Sequence, residues 1–372
     1  MFEIDTKTER LVHLARQRGL SGIVLATQAN FAWCTGGATN RIDGSREPGA
    51  GFLIIAADGR RGILADSIEM PRLAAEVMAG HDFELVEFPW TAPFEDPARI
   101  PALARAFVGT TAAIGSDWPI PDTVTMEAEV ARLRVPLTPE EIARYQQFGR
   151  EAGVAIGDLC RAIVPGDSEL AIAGRVHAAM ARIDARAIVT LVGADDRIDR
   201  FRHPVPSSTR WKSRVLVGLC AERTGLVIAL SRLICTGSTV EPSFAARTRS
   251  AADVFARLLA ATRDEETGAN LFAVASRAYA EAGFPGEEHR HHQGGAIGYQ
   301  SRDWIAHPRS AEVVCVAQAF AWNPSITGTK VEDTALVTAD GVEILTSSPG
   351  WPALDRSVGD QLIAVPDLLV LE

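Results

Sequence analysis

Cysteine, basic charge and long apolar runs are all scarce in this sequence, and each scarcity excludes a class of protein. The five cysteines form no Cys-x-x-Cys pair, which argues against a zinc knuckle and against a disulfide framework. Lysine and arginine total 37 against 47 aspartate and glutamate residues, and no basic cluster is present, so nucleic-acid binding is not expected. No stretch approaches the ~20 apolar residues of a membrane span. The charged start MFEIDTKTER also has no apolar segment typical of a signal peptide. We therefore expect a cytoplasmic protein with reduced thiols and no membrane partner.

The chain of 372 residues is too long for one ordinary core and predicts two domains. Its first part alternates between helical and strand patterns, and GAGFLIIAADGRRGILA predicts a hairpin that turns at Asp58-Gly59. A boundary follows, where TPEE predicts a helix start: Thr138 can cap, Pro139 takes the first helical position and Glu141 can complete a capping box. We place the domains at 1–132 and 133–372, the first of them α/β.

The second part changes from helices to strands and back, which predicts an α+β domain. RVLVGLCAERTGLVIALSRLICTG indicates a strand pair that turns near Thr224-Gly225. Two helical segments follow it, and the strand-like segments VVCVAQAFAWNP and DTALVTADGVEILT close the pattern. No short repeat or low-complexity tract interrupts it.

The order of these pieces resembles the creatinase/aminopeptidase P/methionine aminopeptidase superfamily, which has the pita-bread fold. The segments that carry the resemblance are TPEEIARY, VPGDSELAIA, RHPVP, GLVIALSR, GGAIG and GTKVEDTALVTADGVEILT. The resemblance implies a creatinase-like N-terminal domain, a pita-bread catalytic-type domain and homology to Xaa-Pro peptidases. It also implies a homodimer in which the N-terminal domain covers the partner's cleft.

Metal-using members of that superfamily hold two ions with Asp, Asp, His, Glu and Glu. At the matching positions this sequence has Gly218, Ala229, Gly295, Asn323 and Glu332. Four of the five ligands are thus replaced by groups that hold a hard dication poorly or not at all. We expect no metal, no other cofactor and no ordinary metallo-aminopeptidase activity.

Creatinase, a metal-free relative, hydrolyses a small guanidino acid with a histidine as acid/base. The resemblance places His203 at that position, fifteen residues before Gly218. A neutral imidazole suits this role near pH 7, although a surface histidine beside prolines is the alternative. Glu332 is the second catalytic candidate, because it could orient water or bind a cationic part of the substrate; the alternative is a carboxylate that stabilises the fold.

Several charged and polar side chains near these positions are substrate-binding candidates. Arg232 and Lys330 could hold a substrate carboxylate or pair with Glu332, and Asn323 could position substrate or water. Arg302 could make a bidentate pair with a carboxylate, or it could pair with Asp303.

Three further candidates depend on strand alternation or on a loop. Cys220 and Glu222 alternate with Gly218 and so share its face; Cys220 is either a nucleophile or a small buried residue. Arg41 and Arg46 lie in the loop TNRIDGSREPG, which either reaches a catalytic cleft or is a solvated turn.

The sequence therefore favours a metal-independent hydrolase that uses His203 as acid/base. Its expected substrate is small and polar, carries a carboxylate and contains the C–N bond that is cleaved. The alternative is a non-catalytic protein that binds peptides or a protein partner with the same fold. A third hypothesis is a single-metal enzyme that uses His291 or His292 with Glu332. It is disfavoured, because adjacent histidines on a strand point to opposite faces and so rarely share one ion. The glycines of HHQGGAIGY lack the strand–turn–helix context of a phosphate loop.

Overall fold

The structure, a computed structural model, describes residues 3–109, 112–237 and 240–371. Two compact units divide the chain, Met1–Val135 and Pro136–Glu372, where the sequence placed the boundary between residues 132 and 133. Among the described residues, no helix combines the length and the apolar character that a membrane span needs.

The N-terminal unit is built on a mixed sheet in the order β4-β3-β2-β1-β5-β6. Neighbouring strands β1, β2 and β3 are antiparallel, whereas β3–β4, β1–β5 and β5–β6 are parallel. The strands are β1 (Gly22–Thr27), β2 (Pro48–Ala56), β3 (Arg61–Asp66), β4 (Glu84–Phe88), β5 (Gly115–Ser116) and β6 (Val124–Thr125). The helices are α1 (Glu3–Gln17), α2 (Gln28–Cys34), α3 (Met70–Arg72), α4 (Ala92–Glu95), α5 (Arg99–Val108) and α6 (Glu127–Leu133).

The hairpin predicted at Asp58-Gly59 is confirmed as β2–β3. Gly59 has a φ of 99°, a conformation that glycine adopts without steric cost. After β3, the helix α3 continues as a π-helical turn over Leu73–Val77.

The C-terminal unit contains two larger sheets and two separate hairpins. The sheets have the orders β11-β10-β12-β15-β16 and β19-β9-β8-β7, and the hairpins are β13–β14 and β17–β18. The first six strands of this unit are β7 (Arg186–Ala194), β8 (Arg214–Arg223), β9 (Leu226–Thr236), β10 (Gly294–Ile297), β11 (Trp304–Ile305) and β12 (Ala319–Trp322). The later strands are β13 (Ser325–Ile326), β14 (Thr329–Lys330), β15 (Asp333–Thr338), β16 (Gly341–Ile344), β17 (Ala353–Val358), β18 (Gln361–Pro366) and β19 (Leu369–Leu371). The helices are α7 (Pro139–Arg161), α8 (Glu169–Ala181), α9 (Asp196–Arg200), α10 (Pro242–Ala261) and α11 (Gly268–Glu281), and a 3₁₀ turn spans Glu287–His289.

Local sequence explains how the main elements of this unit begin and turn. The capping box is confirmed: Thr138 Oγ1 accepts from the Glu141 amide, while the Glu141 carboxylate accepts from the Thr138 amide. The turn of the β8–β9 hairpin is also confirmed, with Thr224 and Gly225 both at positive φ. This is the conformation of a two-residue turn whose twist matches its strands.

The core of the C-terminal unit lies between the helices α10 and α11 and the sheet that contains β12 and β15. Phe255, Leu258, Phe320 and Trp322 are among its fully buried side chains. Burial of such side chains stabilises the unit by ~1.5–3 kcal/mol each.

The two larger sheets meet where β9 passes the start of β15. The Ser231 amide donates to the Glu332 carbonyl at 3.0 Å, and the Ala229 amide donates to Thr334 Oγ1 at 2.8 Å. This junction places Glu332 beside the β8–β9 hairpin.

Candidate functional site

A cavity of about 310 Å³ lies in the C-terminal unit beside this junction. Val189 and Leu191 of β7 and Leu219 of β8 form its apolar wall. The remaining lining residues are His203, Cys220, His292, Ser301, Arg302, Asn323, Lys330 and Glu332. Six of the candidate residues named from the sequence thus line one cavity: His203, Glu332, Asn323, Arg302, Lys330 and Cys220.

Glu332 is the centre of a buried ion-pair network. Its Oε2 accepts from Ser231 Oγ at 2.7 Å and lies 3.1 Å from Lys330 Nζ, and its Oε1 accepts from Arg302 Nη2 at 3.1 Å. Burial acts to raise the pKa of this carboxyl, but Lys330, Arg302 and the Ser231 hydrogen bond together lower it to about 2. Glu332 is therefore ionised at neutral pH, and each of its carboxylate oxygens contacts a cationic side chain. It holds Lys330 and Arg302 in place rather than accepting a proton.

Three histidines gather at one side of the cavity. His203 Nε2 and His291 Nε2 lie 2.9 Å apart in a hydrogen bond, and the rings of His291 and His292 stack with centroids 4.5 Å apart. Burial, reinforced by nearby positive charge, lowers the pKa of all three, that of His292 to about 4. All three imidazoles are neutral at pH 7, and exposed His203 is open to solvent as well as to the cavity.

The position of His291 and His292 corrects the argument from strand alternation. Strand β10 begins only at Gly294, and the two histidines lie in the bend before it. Because they are not on a strand, their rings can lie on the same side. His291 and His292 entered the sequence reasoning only through the single-metal hypothesis, with the adjacent histidines as the signal, and Ser301 did not enter it.

Asn323 adds an unsatisfied acceptor to the cavity. Its side chain is 2% exposed, and within the described part of the chain its Oδ1 has no hydrogen-bond partner. A buried polar atom without a partner is costly, which indicates a group that a ligand completes. Lys330, Arg302 and Glu332 together leave one net positive charge beside it, and that favours an anionic ligand.

Arg202 fixes the segment that carries His203. Its guanidinium donates to Ser325 Oγ at 3.0 Å and to Thr327 Oγ1 at 3.1 Å, and it pairs with Glu287. These contacts join the His203 segment to the turn before His291 and to the β13–β14 hairpin.

The five positions of the two-metal centre do not fit a pair of metal ions. The carboxylate of Glu332 is already held by two cations. At Gly295 a Cβ atom would overlap the Trp304 carbonyl oxygen and lie 2.9 Å from Ile305 Cα, so the β10–β11 pairing leaves no room for a ligand side chain. Gly218 and Ala229 offer no donor atom.

Arg232 lies outside the cavity lining. It is 1% exposed and its Nη2 bonds Asp333 at 3.0 Å and the Thr346 carbonyl at 2.8 Å, with Nε donating to Ser348. This is a buried structural ion pair, and the geometry gives Arg232 no route to a substrate.

Four other candidates do not line the cavity either. Asp303 follows Arg302, but Arg302 turns to Glu332. Glu222 forms an ion pair with the half-exposed Arg186 at 3.0 Å. Arg41 and Arg46 lie in the N-terminal unit, where Arg41 bonds Gln28 and Arg46 lines a separate groove.

Cys220 lines the cavity but has an unreactive thiol. Burial raises its pKa to about 11, and the negative charge of Glu332 adds to the effect. A thiolate is the nucleophilic form of cysteine, so the geometry and charge favour a packing role for Cys220.

Solved structures match this architecture along the full chain. A recombinant prolidase from Thermococcus sibiricus has a TM-score of 0.78 at 15% identity and covers 100% of both chains. The chain has the prolidase fold. A dipeptidase from Mycobacterium ulcerans gives a TM-score of 0.77 at 19% identity, with 99% of each chain covered. The N-terminal domain of a FACT complex subunit from chickpea, Cicer arietinum, gives 0.70 at 11% identity, with 94% of this chain and 98% of that chain covered.

These likenesses confirm the predicted fold class: an α/β N-terminal domain and a pita-bread C-terminal domain of the creatinase and aminopeptidase P type. No protein-family model and no curated protein matches the sequence. In this chain the cavity is lined by imidazoles, an amide, two cationic side chains and the carboxylate of Glu332.

Proposed function

We propose that the protein is a metal-independent hydrolase of a C–N bond in a small, polar, carboxylate-bearing substrate, with His203 as the acid/base. One observation carries the proposal: His203, Asn323, Lys330 and Arg302 line a single cavity. We assign His203 the role of base, Asn323 that of hydrogen-bond acceptor, and Lys330 and Arg302 that of anion site. Four of the five positions matched to the superfamily's metal ligands are Gly218, Ala229, Gly295 and Asn323. We therefore assign the base to His203 and not to a metal-bound hydroxide.

The cavity limits the size and charge of the substrate. Its volume of about 310 Å³ lies at the lower end of the ~300–1,000 Å³ of ligand pockets, which suits a small molecule. The net positive charge from Lys330 and Arg302 suits a carboxylate, and the free Oδ1 of Asn323 suits an N–H group next to the scissile bond.

The residues then have separate roles in hydrolysis. His203 takes a proton from water while the water oxygen attacks the carbon, and it returns the proton to the nitrogen as the C–N bond breaks. Lys330 and Arg302 orient the substrate carboxylate, and Glu332 keeps both cations in position. Asn323 holds the substrate N–H.

The neighbouring structures support a hydrolase of this bond type, since they include an Xaa-Pro dipeptidase from Bacillus anthracis and a prolidase. From the composition of the sequence and its superfamily resemblance, we also propose a cytoplasmic homodimer in which the N-terminal unit, with Arg41 and Arg46, covers the partner's cleft.

A substrate screen tests the proposal. N-acyl and N-amidino amino acids are incubated with wild-type protein, with His203→Asn and with His81→Ala as a control at an exposed histidine. We expect turnover that persists in a chelator, is unchanged in the control and falls at least ~100-fold in His203→Asn, the range of general acid–base catalysis. Turnover that requires an added dication, or that survives His203→Asn, would contradict it.

A non-catalytic binding protein is the second candidate. It is supported by the likeness to a domain of a FACT complex subunit together with the missing ligand set. In that case the cavity would bind a peptide carboxylate without turnover, and calorimetry with short peptides would show binding that Lys330→Met weakens.

A further inference from the structure

His203, His291 and His292 form a group at the cavity that includes none of the five positions matched to the two-metal centre. Each ring offers one nitrogen, and these nitrogens lie within 4.8 Å of one another. Around a tetrahedral zinc ion with Zn–N bonds of ~2.1 Å, imidazole nitrogens stand about 3.4 Å apart. Small rotations of the rings are therefore enough to bring three nitrogens to one ion.

We propose that His203, His291 and His292 bind one divalent transition-metal ion such as Zn²⁺ or Cu²⁺, at a site separate from the five positions of the two-metal centre. Imidazole is a preferred ligand of these ions, whereas Mg²⁺ and Ca²⁺ prefer oxygen. With three protein ligands, the ion keeps one open position that faces the cavity.

Two further observations show that, in the described part of the chain, these imidazoles are not engaged elsewhere through their Nδ1 atoms. His291 is 8% exposed, and within the described residues its Nδ1, like that of His292, has no hydrogen-bond partner. Metal binding at Nε2 requires the proton shared by His203 and His291 to move to an Nδ1 atom, and a tautomer shift of a neutral imidazole achieves this without loss of a proton. The nearby charges oppose a dication, but Lys330 and Arg302 both pair with Glu332, which offsets them in part.

Metal binding and base catalysis would exclude each other. An ion on His203 takes the lone pair that the proposed base uses, so the bound metal inhibits hydrolysis. This consequence rests on the proposed function, whereas the binding site does not.

Calorimetry tests the binding site directly. We expect wild-type protein to bind about one equivalent of Zn²⁺ and to show no binding of Mg²⁺. Loss of an outer-shell contact already costs ~10–100-fold in metal affinity, so His292→Ala should weaken binding by at least that factor. His81→Ala, at an exposed histidine of the N-terminal unit, should bind like wild type.

A second measurement needs no variant and so does not depend on the fold of one. The EPR spectrum of the wild-type Cu²⁺ complex should show splitting from three imidazole nitrogens. Absence of a stoichiometric site, fewer than three nitrogens, or affinity that His292→Ala leaves unchanged would overturn the proposal. If zinc binds as expected but no substrate is turned over, the metal site stands and the proposed hydrolase fails.

Discussion

The Nε2 atoms of His203 and His291 lie 2.9 Å apart, although 88 residues separate the two histidines in the chain. The hydrogen bond connects the segment before β8 with the segment before β10, and so joins the two larger sheets of the C-terminal unit at the cavity. Because a hydrogen bond between neutral imidazoles needs one donor and one acceptor, the two rings hold complementary tautomers.

Restoring the missing histidine at position 295 should destabilise the protein rather than rebuild a metal centre. A Cβ atom there would overlap the Trp304 carbonyl, so even Gly295→Ala should cost at least about 2 kcal/mol of unfolding free energy by overpacking. Gly174→Ala is the control, since it has nothing within 4 Å and lies inside α8; it should stabilise by ~0.5–1 kcal/mol. Urea denaturation measures both, and equal stability of Gly295→Ala and wild type would refute the close approach.

Neutralising Glu332 should leave two buried cations without their partner. We expect Glu332→Gln to lower the unfolding free energy by ~3–5 kcal/mol. Adding Lys330→Met should restore part of that loss, because it removes one of the cations. Glu222→Gln, which breaks a more exposed ion pair with Arg186, should cost less than about 1 kcal/mol. Additive effects in the Glu332/Lys330 double-mutant cycle would contradict the network.

Acid should unfold the protein partly through Asp195. Although burial acts to raise its pKa, hydrogen bonds from Ser213, Arg214 and Lys212 lower it. A carboxylate with a depressed folded-state pKa stabilises the protein above its unfolded pKa of ~3.9, and this stability is lost as pH falls through the folded value. Asp195→Asn should therefore be less stable than wild type at pH 7.

The difference between Asp195→Asn and wild type should shrink as the pH is lowered below ~4. Urea denaturation from pH 7 to pH 3 measures it. Asp158→Asn, at an exposed ion pair with Arg161, should stay within ~0.5 kcal/mol of wild type at every pH. A gap for Asp195→Asn that is constant across this range would argue against the carboxylate as the source.

Cys220 should react slowly with alkylating reagents. Its pKa of about 11 compares with ~8.5 for a free cysteine, so its thiolate fraction at pH 7.5 is on the order of a hundredfold lower. Mass-spectrometric mapping of iodoacetamide labelling, with glutathione as the reference, measures the rate, which should rise steeply above pH 9. Cys220→Ser should keep any turnover. Rapid labelling at pH 7.5 would instead favour Cys220 as a nucleophile.

The sequence predicted those structural features that depend only on residues adjacent in the chain. The capping box at Thr138 and Glu141 and the turn at Thr224-Gly225 depend on a few adjacent residues, and both are found where the sequence indicates. The superfamily motifs also marked Glu332, which lies in an isolated bridge with Ser231 of β9.

Contacts between distant segments were not predictable in the same way. The sequence left open whether Arg232 pairs with Glu332 or with a substrate, and its partner is Asp333, one residue further on the neighbouring strand. Likewise, the start of β10 decides where His291 and His292 point, and a shift of one or two residues in a strand boundary reverses that answer.

Arg202 determines how freely this cavity can be remodelled. It directly precedes His203, while its partners Glu287, Ser325 and Thr327 lie close in sequence to His291 and Asn323. One guanidinium therefore sets the spacing of three backbone segments without facing the substrate itself. Libraries that vary the lining residues for a new substrate should retain their loop geometry as long as Arg202 is kept, whereas a library that varies Arg202 changes the spacing of every group at once.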